Sequence, residues 1–215
     1  MTSSDHTSPH WENAGLVVID MQVDFADGGA SPIPGTTEVT PNVVRLTDAF
    51  RRADQPIVHI VRLYPPGSSD VDLPRRALVE SGATIVAPGS PGSAIITGLA
   101  SPPVTLDAAL LLAGRPQTLG TNEIALFKPR WGAFYRTSLE TWLRDRQVDT
   151  VVVAGCNLPN CPRATLFEAS ERDFRTVLVE DAVSQSSPER LADLSRIGVT
   201  LMSTARLVDR LLVRI

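Results

Sequence analysis

The sequence predicts an α/β fold, a three-layer α/β/α sandwich built on a mostly parallel sheet. Three observations point there: short apolar runs recur, they alternate with segments of helical periodicity, and turn or cap residues separate the two kinds. A run that is apolar at every position suits a strand buried on both faces, as in a parallel sheet covered by helices. Strand and helix in alternation connect through right-handed crossovers, which place helices over both faces.

Residues 15–20 form the first such run, too short for a surface helix. Residues 41–54 follow with Val43, Val44, Leu46, Thr47 and Phe50 at helical spacing, and residues 56–63 read as the second strand. Residues 123–127 make another short strand ending at Lys128, and residues 137–146 a helix whose apolar face carries Leu139, Trp142 and Leu143. A strand over 150–155, a helix over 161–172 and a strand over 176–180 continue the pattern. Ser187 and Pro188 suit the N-cap and first turn of a helix with Leu191, Leu194 and Ile197, which Gly198 ends. A strand over 199–202 and a helix over 205–213 close the chain.

Two stretches break the alternation. Residues 1–12 are polar, contain Pro9 and read as a flexible N-terminal tail, leaving residues 13–215 as a single domain. Residues 64–119 are rich in Pro, Gly and Ser and form a long insertion. A structureless insertion of that length is unusual in a compact domain unless it has a task. Short helices are expected near 74–80 and 106–112, with a role as a lid or a subunit contact.

A chain of 215 residues suits one sizeable core, and 43% hydrophobic with 20% charged residues is ordinary for a globular protein. The net charge of −4 argues against nucleic acid or an anionic membrane as the main partner. No apolar run reaches the ~18 residues of a membrane helix, and the N-terminal residues hold no apolar core of a signal peptide. Cys156 and Cys161 are too few for a disulfide framework, wrongly spaced for a C-x-x-C motif, and without partners for a zinc site. The expectation is a cytoplasmic protein acting on a small molecule, with no metal and no cofactor.

In open α/β sheets ligands bind beyond the carboxyl ends of the strands. Asp20 ends the first strand, Lys128 ends the strand over 123–127, and Cys161 opens a helix after the strand over 150–155. A thiol attacks well only as thiolate, and a helix N-terminus together with Lys128 would favour that form. Asp20 is suited to take the thiol proton and return it to a leaving amine. Singly, each has a plainer explanation: Cys161 as a small core residue, Asp20 as a turn cap, Lys128 as a solvated strand end. Only the constellation points to acyl transfer through a thioester.

That constellation resembles the isochorismatase-like hydrolases. Residues 17–25 (VVIDMQVDF) look like the family's opening motif, in which the first Asp is catalytic. Residues 128–137 (KPRWGAFYRT) resemble its Lys segment, and residues 153–165 (VAGCNLPNCPRAT) its nucleophile elbow. Residues 168–170 and 179–184 resemble the segments that follow, so the likeness runs from about 15 to 203. It implies Asp20, Lys128 and Cys161 as the catalytic trio, a six-stranded parallel sheet of Rossmann-like order, and a homodimer or higher homo-oligomer. It also implies a cis peptide between Cys156 and Asn157, with the N–H groups of Asn157 and Cys161 forming an oxyanion hole; such donors are typically worth about 3–4 kcal/mol in the transition state.

Two departures shape the expected activity. Leu158 stands where Thr is commoner and Pro162 where an apolar residue is, a version similar to the branch of amide and lactam hydrolases that includes streptothricin hydrolase. Metal-binding members carry an Asp and two His just after the second strand. Here His59 alternates with Ile57 and Val61 and no later histidine follows, so His59 reads as a strand residue. Phe25, Trp131, Phe134 and Leu158 are the expected substrate contacts. Arg62 and Tyr64 are weaker candidates, and Arg163 suits a partner subunit, an acidic substrate group or a surface ion pair. The reading is a hydrolase of the C–N bond in a small amide, lactam or carbamoyl compound. The alternatives are a vinyl-ether hydrolase using Asp and Lys alone, and a non-catalytic member of the fold.

Overall fold

The computed structural model describes residues 5–212. Residues 1–4 of the expected tail and 213–215 of the expected domain lie outside the described residues. The strands are β1 (Ala14–Ile19), β2 (Ile57–Val61), β3 (Gln117–Gly120), β4 (Glu123–Phe127), β5 (Thr150–Gly155), β6 (Arg175–Val183) and β7 (Thr200–Met202). They form one sheet in the order β3-β4-β2-β1-β5-β6-β7. Six of them are parallel, and β3 pairs antiparallel with β4 at the edge.

The six parallel strands therefore have the expected Rossmann-like order, and the sheet gains a seventh strand from the end of the insertion. Gln117–Gly120 is only four residues long and half exposed, so it carries no alternating apolar pattern that would announce it. β1 and β5 are buried at every position, as their continuous apolar runs require.

Alternate strand residues feed two cores. Leu16, Val18, Ile57, Val152 and Val177 pack toward α1 (Thr36–Arg52) and α7 (Thr204–Leu212), meeting Leu46, Phe50 and Leu207. Val17, Ile19, Val58, Val151 and Val153 pack on the other face, toward α4 (Leu139–Arg144), α5 (Cys161–Ser170) and α6 (Pro188–Arg196). Ser187 caps α6 by accepting a hydrogen bond from Arg190 N. α1 begins five residues before the expected start, so Pro41 lies inside it, in the second turn, where it has no N–H to donate to the helical ladder.

The insertion holds α2 (Leu73–Glu80), a single helical turn at Pro91–Ser93, α3 (Ala108–Leu112) and β3. Part of the expected tail is docked: His10 N donates to Thr150 Oγ1 at 3.0 Å, and the Trp11 side chain is buried in the core. No described helix is long and apolar enough to cross a membrane.

Candidate active site

The order of the strands reverses direction between β1 and β5, which opens a crevice at their carboxyl ends. Gly155 makes the close approach possible. A Cβ there would lie 2.2 Å from Ile19 O, and its φ of 118° is one that side chains rarely adopt. Asp20 follows directly after β1 with a φ of 52°, an unusual conformation for a residue with a Cβ. It is fixed by the bonds Asp20 N to Ile60 O and Gln22 N to Asp20 O, both 2.9 Å.

Lys128 leaves β4 with its side chain fully buried, and its Nζ donates to Asp20 Oδ2 at 2.9 Å and to Arg130 O at 3.2 Å. The segment after it is stapled to α5. Ala133 N donates to Thr165 Oγ1 at 3.1 Å and Phe134 N to Glu168 Oε2 at 2.9 Å. Thr165 Oγ1 in turn donates to Cys161 O at 2.8 Å, so the lysine segment and the cysteine helix share one set of fixings. Gly132 is required here, because a Cβ would strike the Glu168 carboxylate at 2.2 Å.

Cys161 is the first residue of α5, and the peptide between Cys156 and Asn157 is cis. Among the described residues no hydrogen bond uses the N–H of Asn157 or of Cys161. Pro162, next in the helix, has no N–H to offer. Two unengaged donors thus remain at the point where the elbow turns into the helix.

Asp20, Arg62, Tyr64, Cys156, Asn157, Asn160 and Cys161 line one cleft together with Phe25, Ile33, Arg75 and Trp131. Its inner cavity measures about 20 Å³, room for about one water molecule. Burial pushes the Cys161 thiol above its ordinary range, and neighbouring Asp20 adds to the rise, while Lys128 and Arg62 pull the other way. The helix terminus and the lysine were expected to favour thiolate at rest; burial and the carboxylate outweigh them, so the resting group is a thiol with a base beside it. Asp20 Oδ1 is buried without a hydrogen-bond partner.

Residues 14–205 match the family model of the isochorismatase domain. The chain belongs to the isochorismatase family. A probable inactive nicotinamidase of Arabidopsis thaliana is 30% identical over 196 residues, covering 88% of this chain and 91% of that one. A ureidoacrylate amidohydrolase of Methylobacterium radiotolerans is 29% identical over 194 residues, 82% of this chain and 69% of the relative. The crystal structure of N-carbamoylsarcosine amidase from Thermoplasma acidophilum superposes with a TM-score of 0.69 at 26% identity, covering 89% of this chain and 96% of that one.

For this isochorismatase family chain, the structure divides the expected substrate contacts. Phe25 and Trp131 line the cleft, Trp131 at its rim. Phe134 and Leu158 do not; both are buried in the core cluster under α5, where the Phe134 ring packs 5.7 Å from Phe174. The Glu168 and Thr165 bonds turn the backbone at 133–134 toward α5 and carry the Phe134 ring inward. Arg163 sits on the helix surface with its guanidinium 5.7 Å from the Phe167 ring, away from the cleft. His59 is a buried strand residue whose Nε2 lies 2.7 Å from Glu123 Oε1.

Arg62 is more central than its place at a strand end suggested. Its side chain is 2% exposed, its Nη2 lies 3.7 Å from Cys161 Sγ and 2.9 Å from Asp72 Oδ2, and its Nε lies 3.8 Å from Asp20 Oδ2. Burial opposes the Arg62 charge, but Tyr64, Cys161, Asp20 and Asp72 together hold it above the ordinary arginine range. Burial pushes the Tyr64 phenol up to about 12, against the pull of Arg62 and Arg75. Asp72 and Arg75 come from α2 and its cap, inside the insertion, where no motif marks them.

Proposed function

We propose that the chain hydrolyses the C–N bond of a small amide through a thioester on Cys161. The observation that carries this reading is the meeting of Asp20 and Cys161 in one cleft with two unengaged N–H groups, with Lys128 held against Asp20 from behind at 2.9 Å. Asp20 accepts the thiol proton as Sγ attacks the amide carbon, so a resting thiol beside a carboxylate suits the first step. The carbonyl oxygen gains negative charge in the tetrahedral intermediate, and the N–H groups of Asn157 and Cys161 receive it. Asp20 passes its proton to the leaving nitrogen, the C–N bond breaks, and a thioester remains. Water, deprotonated by Asp20, then attacks the thioester carbon; the acid departs and the thiol is restored. Lys128 keeps Asp20 oriented between the steps. The amide-hydrolysing relatives agree in reaction type.

A panel of small amides incubated with the chain tests this. The expected result is ammonia or amine release, an acyl mass adduct at position 161 under rapid acid quench, and neither in Cys161→Ala. Undiminished turnover in Cys161→Ala would remove the thioester from the mechanism.

A further inference from the structure

We propose that Arg62 is a fourth catalytic residue, whose guanidinium stabilises the negative charge on Cys161 Sγ each time the sulfur becomes a thiolate. The inference rests on the thioester reading and adds to it a group that lies outside the three motifs.

Contact with the reacting atoms is the first argument. Arg62 Nη2 donates a hydrogen bond to Cys161 Sγ at 3.7 Å, and Arg62 Nε lies 3.8 Å from Asp20 Oδ2. One planar cation thus touches both the sulfur that loses the proton and the carboxylate that takes it. Lys128 Nζ instead directs its hydrogen bonds to Asp20 Oδ2 and Arg130 O. Tyr64, Arg75 and Cys156 also line the cleft, and among the described residues none of them hydrogen bonds to the sulfur.

The second argument is how the guanidinium is held. Asp72 Oδ2 lies 2.9 Å from Nη2 yet accepts no hydrogen bond, and Arg62 Nη1 is buried without a partner. A buried arginine with a purely structural task directs its fork at carboxylates or carbonyls, because leaving donors unpaired out of water is costly. Here the insertion supplies a neutralising charge and leaves the N–H aimed at sulfur. That gives residue 72, and the segment that carries it, a task at the site.

The third argument is charge balance along the reaction. At rest Asp20 pairs with Lys128 and Asp72 with Arg62, so these four charges cancel. Transfer of the thiol proton to Asp20 moves one negative charge onto sulfur and leaves the sum unchanged. Arg62 is the cation in direct contact with the atom where that charge arrives, and such a bond is stronger in a buried site than in water. When the thioester is hydrolysed, the C–S bond of the tetrahedral intermediate breaks and its electron pair leaves on sulfur. Arg62 receives that thiolate until Asp20 returns the proton. The guanidinium keeps its own protons throughout.

Arg62→Met alone leaves Asp72 buried without its cation, so the deciding variant combines Arg62→Met with Asp72→Asn and buries no unmatched charge. Without substrate at pH 7, its alkylation by iodoacetamide is expected to be about ten- to a hundredfold slower than in the unmutated chain, the effect of losing one hydrogen bond from a charged donor. The rate profile is expected to move to higher pH, and Arg62→Lys, which keeps a charge, to recover part of the rate. For amide hydrolysis kcat is expected to fall by a similar factor with KM little changed, the pattern of an interaction made in the transition state. A merely structural arginine predicts lower stability in urea with the alkylation profile unmoved. A profile of the double variant superposed on that of the unmutated chain, or an unchanged kcat, would overturn the proposal. Undiminished turnover in Cys161→Ala would instead remove the thioester, while the alkylation profile still reports whether Arg62 holds the thiolate.

Discussion

The side chain of Gln22 and the main chain of Arg62 form a closed pair of hydrogen bonds: Gln22 Nε2 donates to Arg62 O at 2.9 Å, and Arg62 N donates to Gln22 Oε1 at 2.7 Å. The same Nε2 donates to Ser93 O at 2.8 Å. One fully buried amide thereby extends the β1–β2 pairing past the strand ends and fastens the insertion to both. Gln22→Ala leaves three buried main-chain groups unpaired, and each such loss costs about 1–3 kcal/mol. The expected drop in unfolding free energy is about 3 kcal/mol or more, read from urea titration. Gln22→Glu, which sets a carboxylate against two carbonyl oxygens, is expected to lose at least as much near neutral pH. A change within about 0.5 kcal/mol, the scale of ordinary surface substitutions, would contradict this account.

Asp20 and Lys128 are a fully buried ion pair, so removing one partner strands the other charge. Lys128→Met is expected to cost about 3–5 kcal/mol in stability and to abolish amide turnover. The double variant Lys128→Met with Asp20→Asn has no charge left to bury, and it recovers part of that stability while remaining inactive. A double-mutant cycle in urea, run beside an activity assay, separates the two effects. Strictly additive losses would mean that the two groups do not interact.

The Cys161 thiol is raised first by burial and then by Asp20, and lowered by Lys128 and Arg62. Asp20→Asn removes a charge that opposes the thiolate, so the pH profile of iodoacetamide alkylation is expected to move to lower pH. Removing Lys128 is expected to move it to higher pH. The two shifts have opposite signs, which a general loosening of the site does not produce. A profile for Asp20→Asn displaced upward would show that the carboxylate is not what holds the proton on sulfur.

Much of this architecture was legible in residue order because it rests on local signals. Residues 151–155 are apolar at every position and the strand over 150–155 is buried throughout, and the strand over 123–127 falls where the run of apolar residues ends at Lys128. Ser187 and Pro188 start α6 as their side-chain chemistry requires. That Asp20, Lys128 and Cys161 would come near one another was legible because strand ends in such a sheet converge. What stayed hidden depends on contacts between distant segments. Phe134 turns inward through bonds to Thr165 and Glu168, more than thirty residues away. Arg75 reaches the cleft, and Asp72 reaches Arg62, only because the insertion folds back over the strand ends, and no spacing within 64–119 encodes that return. β3 is polar and brief, and its partner strand rather than its own sequence makes it a strand.

Glu123 offers a test of the far side of the sheet. Its Oε1 lies 2.7 Å from His59 Nε2 and accepts from Arg51 Nη2 at 2.7 Å, while Oε2 accepts from Arg51 Nε at 2.8 Å. Burial pushes the carboxyl up, but the bonds from Arg51 and His59 prevail and hold its pKa at about 2, below the ordinary 4.5. The folded chain therefore binds this proton less readily than the unfolded chain. The resulting stabilisation is complete above pH 4.5 and is lost as pH falls toward 2. Its size is about 3 kcal/mol as an upper bound, and nearer 2 once solvent screening around the partly exposed Arg51 is allowed for. Glu123→Gln is expected to be less stable than the unmutated chain by that amount at pH 7, with the two converging near pH 2. Urea midpoints for both proteins across that range provide the measurement. A gap that persists undiminished at pH 2 would assign the loss to packing, because a protonated Glu123 no longer holds the ionic bonds that Gln lacks.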